Sequence, residues 1–258
     1  LHGILGAGVN LKCLARKCLD ALPELTIVLV DLRAHGKSLE VSGVDEIDHA
    51  ADDVAETFKA LQLEMTGVVG HSFGGKVALA LIERVPTLQC VVTLDSAPGT
   101  RMDARGSETT SRVLLLLESL NGPWPTRDDF TREVVLRGES RAIAQWLAMN
   151  LVRRADGFHW GLELPRIRSL LQSYFEYDAW PAMERVFGGI DSSKSTRLHL
   201  VAGSESTVYD DVERKRAESL VQVSGGRVHF VTLQGGHWLH VDNPEGVSEY
   251  LIRSIANV

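Results

Sequence analysis

The sequence predicts an α/β fold with a mostly parallel sheet. Near-continuous β-branched runs such as Thr26–Leu32 and Leu88–Leu94 have the texture of strands buried on both faces. Stretches of helical periodicity alternate with them, the pattern of strand–helix–strand crossovers. Between one such strand and one such helix stands Gly70-His71-Ser72-Phe73-Gly74, a sharp turn with serine at its apex.

In chain order, Leu1-His2-Gly3-Ile4-Leu5-Gly6-Ala7-Gly8 is a glycine-rich loop, and Leu11 to Leu22 follows as an amphipathic helix. Thr26–Leu32 reads as a buried strand and Arg33-Ala34-His35-Gly36-Lys37-Ser38 as a turn. Asp45 to Leu63 is expected to be helical, with Ile47, Val54, Phe58 and Leu61 on the apolar face. Val68-Val69 leads into the serine turn, and Val77, Leu79, Ala80, Leu81 and Ile82 carry the helix beyond it. The strand Leu88–Leu94 ends on Asp95-Ser96-Ala97-Pro98-Gly99.

From about 100 to 195 strands vanish. Helical patterns over Ser111–Leu120, Thr126–Arg137, Ser140–Leu151 and Pro165–Glu176 are broken by Pro and Gly, and this stretch carries Trp124, Trp146, Trp160 and Trp180. It reads as a helical lid between two parts of a core, residues 1–99 and 196–258. Arg197–Val201 resumes the strand pattern, Asp210–Val223 is a helix and Arg227–Leu233 the last strand. Gly235-Gly236-His237 is a loop at that strand's end, and Pro244–Ile255 closes the chain as a helix with proline in its first turn.

A chain of 258 residues fits one large α/β domain with an insertion. Its formal net charge of −7 and pI near 5.7 argue against a nucleic-acid partner, which leaves a basic footprint. The apolar runs are strand-sized, so no transmembrane segment is expected. Cys13, Cys18 and Cys90 fit no metal or redox spacing and read as reduced, buried thiols of an intracellular protein. No cofactor or metal is expected.

Gly70-His71-Ser72-Phe73-Gly74 is a G-x-S-x-G nucleophile elbow in strand–turn–helix context. A turn that pushes Ser72 into the open leaves no room for Cβ atoms at positions 70 and 74. The helix starting beneath Ser72 points unpaired N–H groups at any anion formed there. A serine hydroxyl needs an adjacent base, and several loop histidines compete for that role: His2, His35, His71, His237 and His240. His71 is expected to point away if Ser72 points up, and His2 to orient its own loop.

Four loops at strand ends thus carry chemical residues: His2-Gly3-Ile4, Ser72, Asp95 and His237. With His2-Gly3, Asp31-x-Arg33-x-His35-Gly36-x-Ser38, Gly70-His71-Ser72-Phe73-Gly74-Gly75 and Gly236-His237, the chain resembles the α/β-hydrolase family over essentially its whole length. Leu94-Asp95-Ser96-Ala97-Pro98 and Gly236-His237-Trp238-Leu239-His240 make it similar to the α/β-hydrolase domain-containing protein 11 group and the bacterial short-acyl esterases. The resemblance implies an α/β-hydrolase fold, Ser72 as nucleophile, His237 as base, and the backbone N–H groups of Phe73 and Ile4 as the oxyanion hole.

The acid departs from the family's commoner pattern. Where many members carry a Gly-x-x-Asp stretch, this chain has Gly203-Ser204-Glu205-Ser206, with serine at the expected place. Asp95, after the strand that follows the elbow, is the implied acid; its alternative reading is a cap of the turn at Ser96-Ala97-Pro98. Glu205, Asp210 and Asp211 are the reserve carboxylates, and Ser206 is expected to hydrogen-bond the group.

The implied reaction is hydrolysis of a carboxylic ester, or a thioester, through an acyl-enzyme, on a small-molecule substrate. A non-turnover ligand receptor on the same fold and a triad-using lyase of the menaquinone-synthesis type are the alternatives. A dehalogenase would need a carboxylate where Ser72 stands. Family members also have strands ahead of His2-Gly3, one of them beside the elbow strand, so the sequence is expected to be a fragment or to fold with a gap in its sheet.

Overall fold

The structure is a computed structural model that describes residues 1–101, 108–189 and 195–256. Four parallel strands form the central sheet in the order β1 (Gly67–His71), β2 (Cys90–Leu94), β5 (Arg197–Gly203), β6 (Val228–Leu233). The register pairs His71 with Leu94 and Leu94 with Val201, so Ser72 and Asp95 leave neighbouring strands at the same sheet edge.

β2 shows why the run had no alternation. Val91 packs into a core shared with α2 (Ile47–Ala60) and α3 (Phe73–Ala80), while Cys90, Val92 and Leu94 pack on the other face. That second face is covered by α1 (Lys12–Ala21) and α11 (Pro244–Ala256) through Leu14, Val247 and Leu251. Both faces are covered, so every β2 position is buried.

The expected strand Thr26–Leu32 does not form. No backbone hydrogen bond ties Thr26–Val30 to a neighbouring strand among the described residues. A strand exists only through its ladder, and here β1 lies across an apolar groove of about 220 Å³ lined by Leu14, Cys18, Phe58, Val68 and Leu251. Leu1 bridges the top of this gap: its amino group donates to the Val69 carbonyl at 2.6 Å and its carbonyl accepts from the His71 N–H at 3.0 Å. The thiols differ from expectation at one position. Cys18 and Cys90 are buried but Cys13 is exposed, and burial pushes the Cys90 thiol up to about 11.

Between β2 and β5 lie the helices α4 (Glu108–Ser119), α5 (Arg127–Leu136), α6 (Arg141–Ala148), α7 (Leu164–Glu176) and α8 (Trp180–Phe187). Their starts have local causes. Thr126 caps α5 in a reciprocal bond with Asp129, Ser140 caps α6, and Pro165 and Pro181 occupy first turns. Strands do not vanish here, however. β3 (Leu151–Arg154) and β4 (Gly157–Trp160) form an antiparallel hairpin turned at Ala155-Asp156, with Gly157 opening β4 at φ 141°. The unforeseen α8 buries Trp180, Met183 and Phe187, an i, i+3, i+7 stripe.

Lys76, in α3, ties this segment to the core. Its side chain is fully buried, and Nζ donates to the carbonyls of Gly99 (2.7 Å), Tyr174 (2.7 Å) and Tyr177 (2.8 Å). The ammonium also lies 4.6 Å from the centre of the Tyr174 ring. Burial pulls its pKa down to about 7, with Glu213 acting in the opposite direction. All three ammonium protons are used, joining α3, the loop after β2 and the end of α7.

Lys76→Met leaves three carbonyls short of a donor while relieving a buried charge. It is expected to lower the unfolding free energy by about 1–3 kcal/mol and to speed proteolysis between residues 164 and 189. Denaturant melts and limited proteolysis check this; unchanged behaviour in both would count against the clamp.

Candidate active site

Ser72 stands between β1 and α3 at φ 51°, a conformation that costs a non-glycine residue of order 1–3 kcal/mol. Its N–H donates to the Leu94 carbonyl at 3.0 Å. A Cβ on Gly70 would strike the Gly74 carbonyl, as strand and helix crowd together. At Gly74 the obstruction is instead the loop at the chain start, whose Leu1 and His2 carbonyl oxygens would lie 2.6 and 2.5 Å from a Cβ.

Asp95 leaves β2 at φ 48° with its side chain wholly buried. Oδ1 accepts from the Gly203 N–H at 2.9 Å, and Oδ2 accepts from the Ser206 hydroxyl at 2.6 Å and from His237 Nδ1 at 2.7 Å. His237 Nε2 lies 3.0 Å from Ser72 Oγ. A carboxylate only accepts, so Nδ1 carries the ring proton and Nε2 presents its lone pair to the serine hydroxyl. Ser72, His237, Asp95 and Ser206 therefore meet in one chain of hydrogen bonds. The reserve carboxylates do not join it. Glu205 lines the adjoining cavity, Asp210 caps α9 (Asp211–Val223) by accepting from Val212 and Glu213, and Asp211 opens that helix.

Ile4 and Phe73, expected to supply backbone donors, flank Ser72. Phe73 is the first residue of α3, and a Cβ on Gly3 would lie 3.5 Å from Ser72 Cβ, so the Gly3–Ile4 peptide runs alongside it. Two buried imidazoles hold this loop. His2 Nε2 accepts from the Leu32 N–H (2.9 Å) while Nδ1 donates to the Gly3 carbonyl (2.8 Å). His35 Nε2 accepts from the Leu5 N–H (3.0 Å) while Nδ1 donates to the Arg33 carbonyl (2.8 Å). Each ring needs one bare nitrogen, and burial pulls His2 well below the ordinary imidazole value and His35 down to about 4. The Asp31-to-Ser38 motif is thus the cradle of the loop: Asp31 also accepts from the N–H groups of Gly8 and Lys37.

Two neighbours escaped the sequence reading. His71 does not point idly away; its Nε2 lies 2.8 Å from the His237 carbonyl. Tyr174, on α7, packs near Phe73 with ring centres 6.4 Å apart, and burial pushes its hydroxyl up to about 12. Only the histidine had a signal, its place inside the elbow motif. The site opens into a cavity of about 620 Å³ whose apolar lining includes Leu5, Val113, Ile143, Trp146 and Trp238. Trp146 of α6 packs on Trp238 with ring centres 4.9 Å apart, joining the helical segment to the His237 loop. No cluster of metal-ligating side chains occurs among the described residues.

A parallel sheet that delivers a strained serine, a histidine and a carboxylate to one edge defines the class of α/β-hydrolase-fold enzymes. The chain belongs to the alpha/beta hydrolase family, whose model matches residues 1–250. It is similar to esterase YbfF of Escherichia coli, with 26% identity covering 96% of this chain and 88% of that protein. It is also similar to the sn-1-specific diacylglycerol lipase ABHD11 of Mus musculus, with 24% identity covering 95% of this chain and 76% of that protein. Among solved structures, a marine microorganism esterase shares the fold at TM-score 0.79 and 23% identity, covering 98% of this chain and 93% of that one. With esterase and lipase relatives across its length, the chain is an ester-hydrolysing enzyme. No helix among the described residues is long and apolar enough to cross a membrane.

The buried neutral imidazoles set a pH dependence of stability. His2 and His71 lie well below 6.5, and His35 and His240 lie at about 4, each chiefly through burial. Between pH 6.5 and 4 the unfolded chain binds protons that the folded chain refuses. Unfolding free energy is therefore expected to fall as pH drops through that window, by up to about 1.4 kcal/mol per pH unit for each such histidine. Urea melts at pH 7, 6 and 5 measure it; a flat profile would contradict neutral burial.

Proposed function

We propose that the chain is a serine esterase that works through an acyl-enzyme, with Ser72 as nucleophile, His237 as base and Asp95 as acid. The observation that carries the reading is the unbroken sequence of bonds from Asp95 Oδ2 through His237 (2.7 Å) to Ser72 Oγ (3.0 Å). As Oγ attacks the ester carbonyl carbon, its proton passes to His237 Nε2. The carbonyl oxygen becomes an oxyanion facing the N–H groups of Phe73 and Ile4. Collapse of this intermediate breaks the carbon–oxygen bond, and His237 gives its proton to the departing alcohol oxygen. A water then repeats the attack on the acyl carbon, loses its proton to His237, and the acid leaves as that proton returns to Ser72.

Asp95 stabilises the imidazolium formed in each half-reaction and holds its tautomer; Ser206 and Gly203 orient the carboxylate. The cavity of about 620 Å³, with Trp146, Trp238, Val113 and Ile143 in its wall, suits an apolar acyl group of short or medium length. Glu205 and Asp242 are the carboxylates that line it, which favours an uncharged ester over an anionic one. A thioester presents the same carbonyl carbon and falls within the same chemistry.

Ser72→Ala is expected to abolish hydrolysis of p-nitrophenyl butyrate and labelling by a fluorophosphonate probe. Asp95→Asn is expected to lower kcat by about 10⁴-fold with little change in KM, and Ser206→Ala by no more than about tenfold. Equal labelling of wild type and Ser72→Ala would remove the nucleophile assignment. Near-normal turnover in Asp95→Asn, beside a crippled Glu205→Gln or Asp210→Asn, would move the acid elsewhere.

A further inference from the structure

His71 immediately precedes Ser72 and is itself buried, at 6% exposure. Its ring lies among three parts of the site. Nδ1 faces Gly3, where an added Cβ would come within 3.0 Å of it. The ring meets His240 edge-on at 4.6 Å and tilts against His237 at 5.0 Å. Nε2 lies 2.8 Å from the main-chain oxygen of His237. A carbonyl only accepts, so Nε2 carries the proton and donates it.

The loop that carries His237 has reason to need such a tie. It follows Gly235, at φ 135°, and Gly236, two residues with little conformational preference of their own. Other bonds hold its ends: Glu205 N–H donates to the Gly235 carbonyl at 3.0 Å, and Gly236 N–H to the exposed Asp242 carboxylate at 2.9 Å. The bond from His71 acts on the peptide of His237 itself and originates one residue from the nucleophile. We propose that His71 is a positioning residue that fixes the His237 backbone to the elbow, setting the approach of Nε2 to Ser72 Oγ.

The inference rests on Ser72 and His237 acting as nucleophile and base. Burial and the neighbouring His240 and His237 hold His71 well below the ordinary imidazole range, so it remains a neutral donor when His237 becomes an imidazolium. A lysine or arginine donor at this place would oppose that charge. Glutamine is the natural mimic, because its amide nitrogen reaches about as far as Nε2. Asparagine offers the same amide one methylene short.

The experiment compares His71→Leu, His71→Asn and His71→Gln in p-nitrophenyl butyrate kinetics and in hydrogen exchange of residues 235–240, well below each variant's melting temperature. Loss of the tie is expected to lower kcat by about 10–100-fold in the Leu and Asn variants, with KM within about twofold, since misplacement of a catalytic group acts on the reacting geometry. Exchange of the 235–240 amides is expected to quicken in the same two variants, and His71→Gln to recover most of both. Wild-type kcat and exchange in the Leu and Asn variants would overturn the proposal, as would a Gln variant as impaired as Asn. If Ser72→Ala still hydrolyses the ester, the esterase reading fails. Exchange then still decides the tie: quickened by Asn and restored by Gln it stands, and unchanged in both it falls.

Discussion

Ser72 holds φ 51° because three backbones close around it. Gly74's carbonyl excludes any side chain at position 70, the Leu1 and His2 carbonyls exclude one at position 74, and the Leu94 carbonyl accepts the Ser72 N–H. A strained residue persists only where its surroundings over-determine it. The packing of the 1–6 loop over α3, and of β1 beside β2, is therefore inseparable from the exposure of one hydroxyl. The same closeness brings the Gly3–Ile4 peptide beside that hydroxyl.

Around this turn the protein has gathered imidazoles and kept them neutral. His2 and His35 work as backbone partners, each giving one proton and receiving one. His71 gives its proton to the His237 loop. Neutral neighbours place no standing positive charge beside the His237 ring, and burial makes neutrality the lower-energy state. The carboxylate of Asp95 meanwhile accepts from three donors, Gly203 N–H, the Ser206 hydroxyl and His237 Nδ1.

The helical segment is coupled to the same place through α3. Ser72 immediately precedes that helix and Lys76 sits one turn on, holding the end of α7 by two carbonyls. Tyr174, one of those two residues, also packs near Phe73, the residue after Ser72. A shift of α7 would thus be felt at the start of α3, next to the Ser72 turn. Trp146 and Trp238 give the helical segment and the His237 loop a second junction at the cavity.

Periodicity and motif spacing carried most of the fold into view. The parallel strands β1, β2, β5 and β6, the helices flanking them and the helices α4 to α7 follow from local pattern, because apolar runs, helical periodicity, caps and glycine turns act over a few residues. Ser72 and His237 were legible for the same reason: each sits in a short glycine-marked turn at a strand end. Tertiary structure decided the rest. Thr26–Leu32 has strand composition, yet no strand forms where no ladder partner lies alongside. Asp95 reaches His237 across 142 residues and Ser206 across 111, and Lys76 reaches Tyr177 across 101. Such contacts are set by strand order and sheet register, which bring distant loops to one edge and which no local pattern encodes.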